Sequence, residues 1–548
     1  MNVVIASLAL LIFASIARAQ QPNLIVIMSD DQGTNAVSAY GPGIGGVVST
    51  PNIDRIANEG VKFTNAFGVD QVCAPNRATL MTGKYGHRHG VLRNGDAFDA
   101  SQTTVVDLLK AAGYRTAIIG KWHLISSPGD AGFDYWNVFV QSNGPYANPK
   151  FDRNGAVTPS VGYATDLITT DAIAWLSANR EDAGPFALFI MHNAPHQPWV
   201  PAARHQGLYP ADLAHPTTFD DRWTGRAPPA QLSSFRLRPN LLETWLGAQF
   251  QALGKALLPG GLSAEQEEDW IYQQYAKDYL RTVAALDESV GSILDYLDAN
   301  QDETGLLAND TVVIFTGDNG NLVGEHFSFA KARPYEDVLR VPLLMRAPGV
   351  APGSVVSQTV INTDTAPTLL DLAGVATPGD MQGRSLLELL GGSPPADWRT
   401  NFYFNHYQWG ANNVVPYYGI RTSRYKLINH YGREWGGRPA WELIDLEADP
   451  DERTNVYDDA QYASVVPQLK AELLSVATGI GISPVVNPCP GDMDGNGVIG
   501  IADVLSVRKC FGLRAEGTCT LADFDGNGFV SVSDVIRARQ AFGKSCTL

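Results

Sequence analysis

A cysteine followed four residues later by an arginine is the first feature of the sequence that could do chemistry. Cys73 opens the segment Cys73-Ala74-Pro75-Asn76-Arg77. Pro75 suits the first turn of a helix, which would place Cys73 at the helix N-terminus. The free backbone N–H groups and the helix dipole favour an anion there, and Arg77 adds a positive charge one turn further on. The spacing therefore predicts an anion-binding site beside Cys73.

Four short apolar runs each end in polar side chains that could bind a ligand. The runs cover residues 24–28, 116–119, 186–191 and 312–315, and each has the length and composition of a buried strand. The polar residues that follow them are Asp30, Asp31, Lys121, His123, His196, Asp318 and Asn319. In open α/β sheets, ligands bind at the carboxyl ends of the strands. We therefore expect these side chains to share one site.

The order of the predicted elements divides the chain. A length of 548 residues is too great for one hydrophobic core. Apolar runs alternate with longer periodic segments up to about residue 390, which is the pattern of an α/β domain, and residues 269–297 predict a long helix. Later runs predict a small antiparallel sheet and then a helix near 465–476. The predicted parts are a larger domain at 20–398, a subdomain at 399–477, a linker at 478–490 and a C-terminal module at 491–548.

The composition and the N-terminal segment restrict the kinds of function that this protein can have. The net charge of −17 argues against nucleic acid as a partner, because phosphates need Lys/Arg surfaces. With 45% hydrophobic and 18% charged residues, the chain is not disordered. The apolar run 3–16 is followed by Ala17-Arg18-Ala19, which predicts a signal peptide at residues 1–19. We therefore expect an exported protein that is periplasmic, extracellular or associated with the cell surface.

The segment around Cys73 resembles the signature of formylglycine-dependent sulfatases, in which this cysteine is oxidised to an aldehyde. The resemblance extends over nearly all of residues 22–460. Its further motifs are Asp30-Asp31-Gln32, Ser49-Thr50-Pro51-Asn52-Ile53-Asp54, Gly83-Lys84-Tyr85-Gly86-His87, Gly120-Lys121-Trp122-His123, Ala194-Pro195-His196, Gly317-Asp318-Asn319-Gly320, Lys331, Pro334-Tyr335-Glu336 and Arg340-Val341-Pro342. The resemblance implies an alkaline-phosphatase-like α/β fold, with a mostly parallel central sheet flanked by helices. It also implies a formylglycine-generating enzyme as a maturation partner.

The resemblance implies a calcium-dependent active site. The matching calcium ligands are Asp30, Asp31, Asp318 and Asn319, with a further oxygen from the matured Cys73. Hard oxygen donors at two strand ends suit Ca²⁺, and no His/Cys cluster suits zinc. The residues that match those holding the sulfate are Arg77, Lys121, His123, His196 and Lys331.

The same resemblance implies covalent catalysis. The hydrated aldehyde of residue 73 would present a hydroxyl to sulfur, with the metal and Asp318 assisting its deprotonation. His196 would donate a proton to the departing sugar alcohol. His123 would be the base that collapses the sulfated hemiacetal and expels sulfate.

Within the sulfatases, four segments are most similar to bacterial N-acetylglucosamine-6-sulfatases, namely 35–41, 132–136, 192–196 and 418–422. The substrate would then be a sulfated carbohydrate that loses its 6-O-sulfate. We expect sugar contacts from the subdomain, through His406, Trp409 and Arg421. The strong negative charge of the protein would repel long sulfated chains, which favours exo-action on a terminal sugar.

The C-terminal module contains two similar loops that lie 31 residues apart. Both follow the pattern D-x-D-x-N-G with an Asp at position twelve, which is the oxygen spacing of an EF-hand-like calcium loop. The predicted ligands are Asp492, Asp494, Asn496, Val498 and Asp503 in the first loop, and Asp523, Asp525, Asn527, Phe529 and Asp534 in the second. The pair resembles a dockerin domain, which implies two bound Ca²⁺ and a cohesin-like partner. A stand-alone calcium-stabilised tail is the alternative.

Four of the five cysteines lie in the last sixty residues, at Cys489, Cys510, Cys519 and Cys546. An even set in a small exported module predicts two disulfides, whose connectivity the sequence leaves open.

Two further functions stay open at this point. A phosphodiesterase or phosphonate hydrolase of the same superfamily can share the C-x-P-x-R signature. A non-catalytic protein that binds sulfated glycans would keep Cys73 as an unmodified thiol.

Overall fold

The computed structural model describes residues 21–180, 184–302, 305–407, 413–431, 440–482, 501–513, 522 and 529–541. The predicted signal peptide at 1–19 lies outside this range. The strands are β1 (Asn23–Ser29), β2 (Val61–Phe63), β3 (Ala66–Phe67), β4 (Arg115–Gly120), β5 (Tyr135–Phe139), β6 (Lys150–Arg153), β7 (Ala156–Pro159), β8 (Phe186–Met191), β9 (Gln301–Asp302), β10 (Gly305–Leu306), β11 (Thr311–Gly317), β12 (Leu322–Val323), β13 (Phe329–Ala330), β14 (Leu343–Arg346), β15 (Ser354–Val356), β16 (Val360–Ile361), β17 (Phe402–His406), β18 (Tyr417–Arg421), β19 (Tyr425–His430) and β20 (Ala440–Asp445).

The described part of the chain also contains α-helices between and after these strands. They are α1 (Pro51–Asn58), α2 (Cys73–Thr82), α3 (Gly86–His89), α4 (Val105–Ala111), α5 (Ala164–Asn179), α6 (Pro228–Gln231), α7 (Leu242–Leu246), α8 (Ala248–Ala252), α9 (Ala264–Ala299), α10 (Glu336–Leu339), α11 (Thr365–Leu372), α12 (Val465–Gly479), α13 (Ile501–Lys509) and α14 (Val532–Ala541). Among the described residues, none of the helices combines the length and apolar character needed to cross a membrane.

A ten-stranded mixed sheet forms the centre of the larger domain, in the order β15-β2-β14-β11-β1-β8-β4-β5-β6-β7. The strands from β11 to β5 run parallel. Strand β14 is antiparallel to both of its neighbours, and β6 and β7 extend the other side as an antiparallel hairpin. The prediction of a mostly parallel sheet is therefore confirmed for the five central strands, and β15 is parallel to β2 as well. The antiparallel pairings of β14 and of β6 with their neighbours make the whole sheet mixed.

The four strands predicted from apolar runs are the four neighbours β11, β1, β8 and β4 at the centre of the sheet. Helices cover both faces, so the strands are apolar on both sides. In β1, Leu24 and Val26 face one hydrophobic cluster and Ile25 and Ile27 face the other. This alternation is the two-residue period of a strand.

Helix α9 is longer at both ends than the predicted 269–297. Its start is fixed by a capping box, in which the Ser263 side chain accepts from the Gln266 backbone and the Gln266 side chain accepts from Ser263. The helix packs beside α1 and α5, and its residues Leu286, Val290 and Ile293 fill one face of the central sheet.

The subdomain is a four-stranded antiparallel sheet in the order β17-β18-β19-β20, with α12 packed on it through Leu469 and Leu473. Its predicted sheet and helix are confirmed. In the C-terminal module, α13 and α14 pack together around Val504, Val507 and Ala538.

Most predicted calcium-loop positions of the module lie outside the described residues, as do Cys489, Cys519 and Cys546, so the calcium sites and the disulfide connectivity stay predictions. The described exceptions include Phe529, which is half exposed, and Asp534. The Asp534 carboxylate is buried and accepts from the backbone N–H and the hydroxyl of Ser531, at 2.8 and 2.9 Å. Cys510 is disulfide-bonded.

A carboxylate of α9 anchors α1. The buried Asp287 accepts hydrogen bonds from the backbone N–H groups of Asn52 and Ile53 at 3.0 and 2.8 Å, and from the Asn52 side chain at 2.8 Å. Asp287→Ala leaves these donors without a partner, so we expect the free energy of unfolding to fall by about 2 kcal/mol at neutral pH. Denaturant unfolding measures this change.

The matched control is Asp295→Ala in the same helix. Asp295 is exposed and pairs with Arg55 at 2.7 Å, so its loss should change the free energy of unfolding by less than about 1 kcal/mol. Equal effects of the two variants would contradict the anchoring role.

The anchor also predicts a pH dependence. Burial raises the pKa of Asp287 to about 6 from an ordinary value of 3.8, so the folded protein holds this proton more tightly than the unfolded chain. The stability difference between wild type and Asp287→Ala should therefore be largest below about pH 4 and decline as the pH rises through about 6. Unfolding curves at pH 4, 5 and 7 would show it; a difference that grows with pH would contradict it.

Candidate active site

The site lies at the carboxyl ends of the four central strands. The register pairs Ser29 of β1 with Gly317 of β11, so the carboxylates that follow these residues, Asp30 and Asp318, come to lie side by side. Lys121 follows β4 directly, and its backbone N–H donates to the last residue of β8 at 2.6 Å. The sheet therefore gathers side chains that are far apart in sequence, as the four runs predicted.

Cys73 is the first residue of α2 and is fully buried, as the position of Pro75 predicted. Its Sγ atom lies 3.2 Å from Asp30 Oδ1 and 3.9 Å from Asp31 Oδ1. Burial and the Asp30 charge raise the pKa of the Cys73 thiol well above its usual range. An unmodified Cys73 would therefore stay a protonated thiol at neutral pH, which is a poor nucleophile.

Three cations neutralise three carboxylates around Cys73. Lys121 Nζ binds Asp30, Lys331 Nζ binds Asp31, and Arg77 binds Asp318 Oδ2 through Nη2 at 3.1 Å and Nε at 3.2 Å. All six residues are buried or nearly so. Burial would raise the pKa of Asp30, but Lys121 and its other cationic neighbours hold it well below the usual range. The site is thus a preorganised set of charges shielded from water.

Two histidines border this set. His196 Nε2 lies 3.7 Å from Asp31 Oδ2, and its Nδ1 is 2.7 Å from the carbonyl oxygen of Gln197. Burial lowers the pKa of His196, and burial with the neighbouring Lys121 lowers the pKa of His123 to about 2. Both imidazoles are therefore neutral at pH 7, so each can accept a proton through one ring nitrogen.

Backbone strain is concentrated at the site. Asp31 and His123 have φ values of 65° and 60°, and Ala330 and Ala332, which flank Lys331, have values of 65° and 64°. Non-glycine residues enter this region rarely, and such conformations persist where the surrounding structure holds them in place. These positions therefore hold one carboxylate, one histidine and one lysine in the group of charged residues around Cys73.

The donor set fits a metal ion. Ligand atoms of Asp30, Asp31, Cys73 and His196 all lie within 4.8 Å of one another. Asp318 adjoins this group, since its Oδ1 accepts from the backbone N–H of Asp31 at 3.0 Å. The predicted ligands therefore lie together, and His196 is an additional neighbour.

Asn319 supplies a further observation about the donor set. Its side-chain oxygen is buried without a hydrogen-bond partner, while its Nδ2 donates to Asp31 Oδ1 at 2.8 Å. Rotation of the amide exchanges the two atoms and turns the oxygen toward the carboxylates. The site thus offers a fourth oxygen ligand to a cation such as Ca²⁺.

A cavity of about 260 Å³ opens beside these residues. Its lining includes Asp31, His196, Lys331, Asn94, Asn143, Gln197, Trp199, Phe235, Asn321 and His406. Sequence reasoning missed the asparagines and the two aromatic residues. Trp199 and Phe235 lie in the long stretch between β8 and α9, whose sequence has no periodicity to mark inward-facing positions.

The predicted sugar contacts have different positions. His406 lines the cavity, with its Nδ1 3.9 Å from Asp70 Oδ1 and its ring stacked on Tyr417 at 5.4 Å. Arg421 does not line it; it pairs with Glu336 at 3.1 Å and lines a separate cavity. Arg421 is therefore not brought to the cavity, because the partly buried Glu336 holds its guanidinium elsewhere. Trp409 lies outside the described residues.

Comparisons with known proteins agree with this geometry. A model of the sulfatase family matches residues 22–375, and a model described as the C-terminal part of N-sulphoglucosamine sulphohydrolase matches residues 324–478. The chain is 38% identical over 507 residues to an N-acetylglucosamine-6-O-sulfatase of Bacteroides thetaiotaomicron, a match that covers 84% of this chain and 88% of that protein.

Solved structures also match this chain over most of its length. The structure of BT4656 in complex with its substrate D-glucosamine-2-N,6-O-disulfate matches with a TM-score of 0.76 and 35% identity, over 84% of this chain and 98% of that one. A phosphonate monoester hydrolase from Silicibacter pomeroyi matches with a TM-score of 0.65 at 21% identity, over 86% and 98%, which shows a common fold alone. Since a family model spans most of its length and a sulfatase relative matches almost throughout, the chain belongs to the sulfatase family of sulfuric ester hydrolases.

Proposed function

We propose that this sulfatase removes the 6-O-sulfate from terminal N-substituted glucosamine units of sulfated glycans. The observation that supports it is the cavity of about 260 Å³, which reaches the paired charges around Cys73 and is lined by aromatic and amide side chains. A volume near the lower limit of ligand pockets suits one sugar unit. The relatives named for N-acetylglucosamine-6-sulfate and glucosamine disulfate point to the same class of substrate.

The sulfate would bind between the cations. Lys121, Lys331 and Arg77 each hold a carboxylate now, and they converge on Cys73 from three elements of the fold. As negative charge shifts onto the sulfate oxygens and the departing oxygen, these fixed positive groups stabilise it without reorganisation. A 6-sulfate projects from the sugar ring on a primary carbon, so it reaches this depth while the ring stays in the outer part of the cavity.

Asp30, Asp31, Asp318 and Asn319 would hold Ca²⁺, which supplies positive charge that polarises the sulfate and lowers the pKa of a bound hydroxyl. A formylglycine formed from Cys73 by a maturation enzyme would supply the nucleophilic hydroxyl in its hydrated form. The buried position of residue 73 excludes bulk water from that hydroxyl.

The two neutral histidines would move protons. His196 lies at the border of the cavity, so it is placed to take up the proton that the attacking hydroxyl of residue 73 gives up and to pass a proton to the leaving sugar oxygen. His123 lies beside the cations, and its Nδ1 is buried without a partner. It can therefore accept the proton that must leave residue 73 when sulfate is released.

Replacing Cys73 tests the nucleophile. Cys73→Ala removes the side chain that becomes the aldehyde, so we expect at least a 1,000-fold loss of kcat, in keeping with the loss of a covalent nucleophile. Thermal unfolding should change little. A Cys73→Ala protein with wild-type turnover would contradict the proposal, and intact mass of the residue-73 peptide would separately establish whether the thiol is oxidised.

Ligand discrimination tests the substrate. On a panel of monosulfated sugars, N-acetylglucosamine 6-sulfate should be cleaved with the highest kcat/KM, because the cavity receives one ring with its 6-substituent inward. A preference for galactose or fucose sulfates, or for a 2- or 4-sulfate, would contradict it. A phosphate diester belongs on the same panel; faster cleavage of that ester would favour the phosphonate-hydrolase alternative.

Loss of His406 tests the sugar contact. His406→Ala should raise KM at least fivefold for the sugar sulfate and leave the hydrolysis of a small aryl sulfate within about twofold of wild type. Arg421→Ala is the matched control from the same subdomain, since Arg421 lies away from the cavity. Equal effects of both variants on the sugar substrate would contradict a specific role for His406.

We propose further that the C-terminal module binds two Ca²⁺ and a protein partner. Support for the partner comes from exposed apolar residues at matching positions of the two repeats, Ile501 with Val532 and Leu505 with Ile536. Exposed apolar residues grouped in this way are typical of interaction surfaces, and the resemblance to dockerins suggests a cohesin-like protein. Residues 1–19 and relatives named extracellular sulfatases support export of the chain.

Calcium stoichiometry tests the module. A chain that ends at Ile482 keeps all residues matched by the family models, which end at residue 478. Calorimetry should show the full chain binding two more Ca²⁺ than this shortened chain, because crowded carboxylates in each loop require a cation. Equal stoichiometry would contradict the prediction.

A further inference from the structure

Three arginines surround one buried tryptophan outside the catalytic cavity. Trp223 is fully buried, and the guanidinium carbons of Arg333, Arg236 and Arg226 lie 3.8, 4.8 and 5.5 Å from a ring centroid of this indole. Each such contact is favourable, but three like charges at one ring repel one another. We call these four residues the arginine cluster.

The arginine cluster holds more positive than negative charge. Arg226 pairs with Asp221 at 2.9 Å, and the same carboxylate accepts from His326 at 2.8 Å. Within the described part of the chain, neither Arg236 nor Arg333 has a carboxylate within ion-pair distance. Burial and the neighbouring Arg236 lower the pKa of Arg333 to about 9, which is the sign of an uncompensated charge.

Arg333 also lacks hydrogen-bond partners. Only 3% of its surface is exposed, its Nη1 donates to Ala230 O at 3.4 Å, and its Nε and Nη2 atoms are buried with no partner. The nearby Glu442 does not serve it, because that carboxylate accepts from Ala227 N, His430 and Tyr335 at 2.7, 3.0 and 3.2 Å. A buried charge with unmet donors is costly unless an anion or a polar group meets it.

Arg333 lines a small cavity. This cavity has a volume of about 10 Å³, and its polar lining consists of Arg333, Ser233, Tyr335, Tyr417 and His430. The volume corresponds to about one water-sized sphere. Among anions, a single halide ion is much closer to this size than a sulfate, a phosphate or a sugar carboxylate.

We propose that the arginine cluster binds one monoatomic anion, chloride under ordinary conditions, between the Arg333 guanidinium and the Ser233 hydroxyl. The anion supplies the negative charge that no carboxylate of the described chain places beside Arg333, and it accepts hydrogen bonds from the guanidinium. It also fixes the segment that carries Lys331, which lies two residues before Arg333 in the chain.

Bromide tests the site directly in the wild-type protein. In crystals grown with sodium bromide, anomalous diffraction should place a bromide peak within hydrogen-bond distance of the Arg333 guanidinium. A map with no bromide peak at Arg333 would overturn the proposal. This measurement needs no variant, so it does not depend on how a substitution affects folding.

Chloride dependence of stability is the second test. The unfolding temperature is measured while chloride replaces gluconate at constant ionic strength, so that screening stays the same. The unfolding temperature of the wild-type protein should rise by about 2 °C as chloride saturates the site, because a ligand that binds only the folded state stabilises that state. Arg333→Leu should lose this rise.

Arg384→Leu is the matched control. Arg384 also stacks on a tryptophan, Trp398, at 4.8 Å, but its charge is met by Glu388 at 2.6 Å. This variant should keep the chloride response of wild type. A response that is equal in Arg333→Leu, or absent from wild type, would overturn the proposal.

Discussion

The side-by-side pairing of β1 with β11 is the constraint on which the site depends. It brings carboxylates from two distant parts of the chain to the same point inside the protein, where their mutual repulsion would otherwise be prohibitive. Lys121, Lys331 and Arg77 remove that repulsion, and each arrives from a different element. The fold and the charge balance of the site therefore depend on each other. The sheet that brings the carboxylates together must also position the cations that neutralise them.

Much of this arrangement could be predicted from the sequence. The four apolar runs are strong signals, since strands buried on both faces read as uninterrupted hydrophobic segments, and the polar residues after them fall at one edge by the general rule for open sheets. The helix at Cys73 followed from Pro75. Strands β6 and β7 were missed because they are short and largely exposed, so their sequence is not distinct from that of a loop.

The outer part of the site was harder to predict. Trp199 and Phe235 come from a long segment with little regular structure, so no periodicity marks them as lining residues. Arg421 was misplaced because a charged residue in a strand gives no sign of whether a substrate or a carboxylate such as Glu336 will meet it. His406 does line the cavity, and it is the last residue of β17 in the small antiparallel sheet that the sequence predicted.

The complete burial of Cys73 has a consequence for the order of events in biosynthesis. A maturation enzyme cannot reach a side chain that is enclosed by the first turn of α2, the carboxylates and their cations without first opening this edge of the sheet. The oxidation we propose must therefore compete in time with folding of the chain. Conditions that speed folding relative to modification would yield a well-folded but inactive population, and such molecules would have no route back to activity short of unfolding.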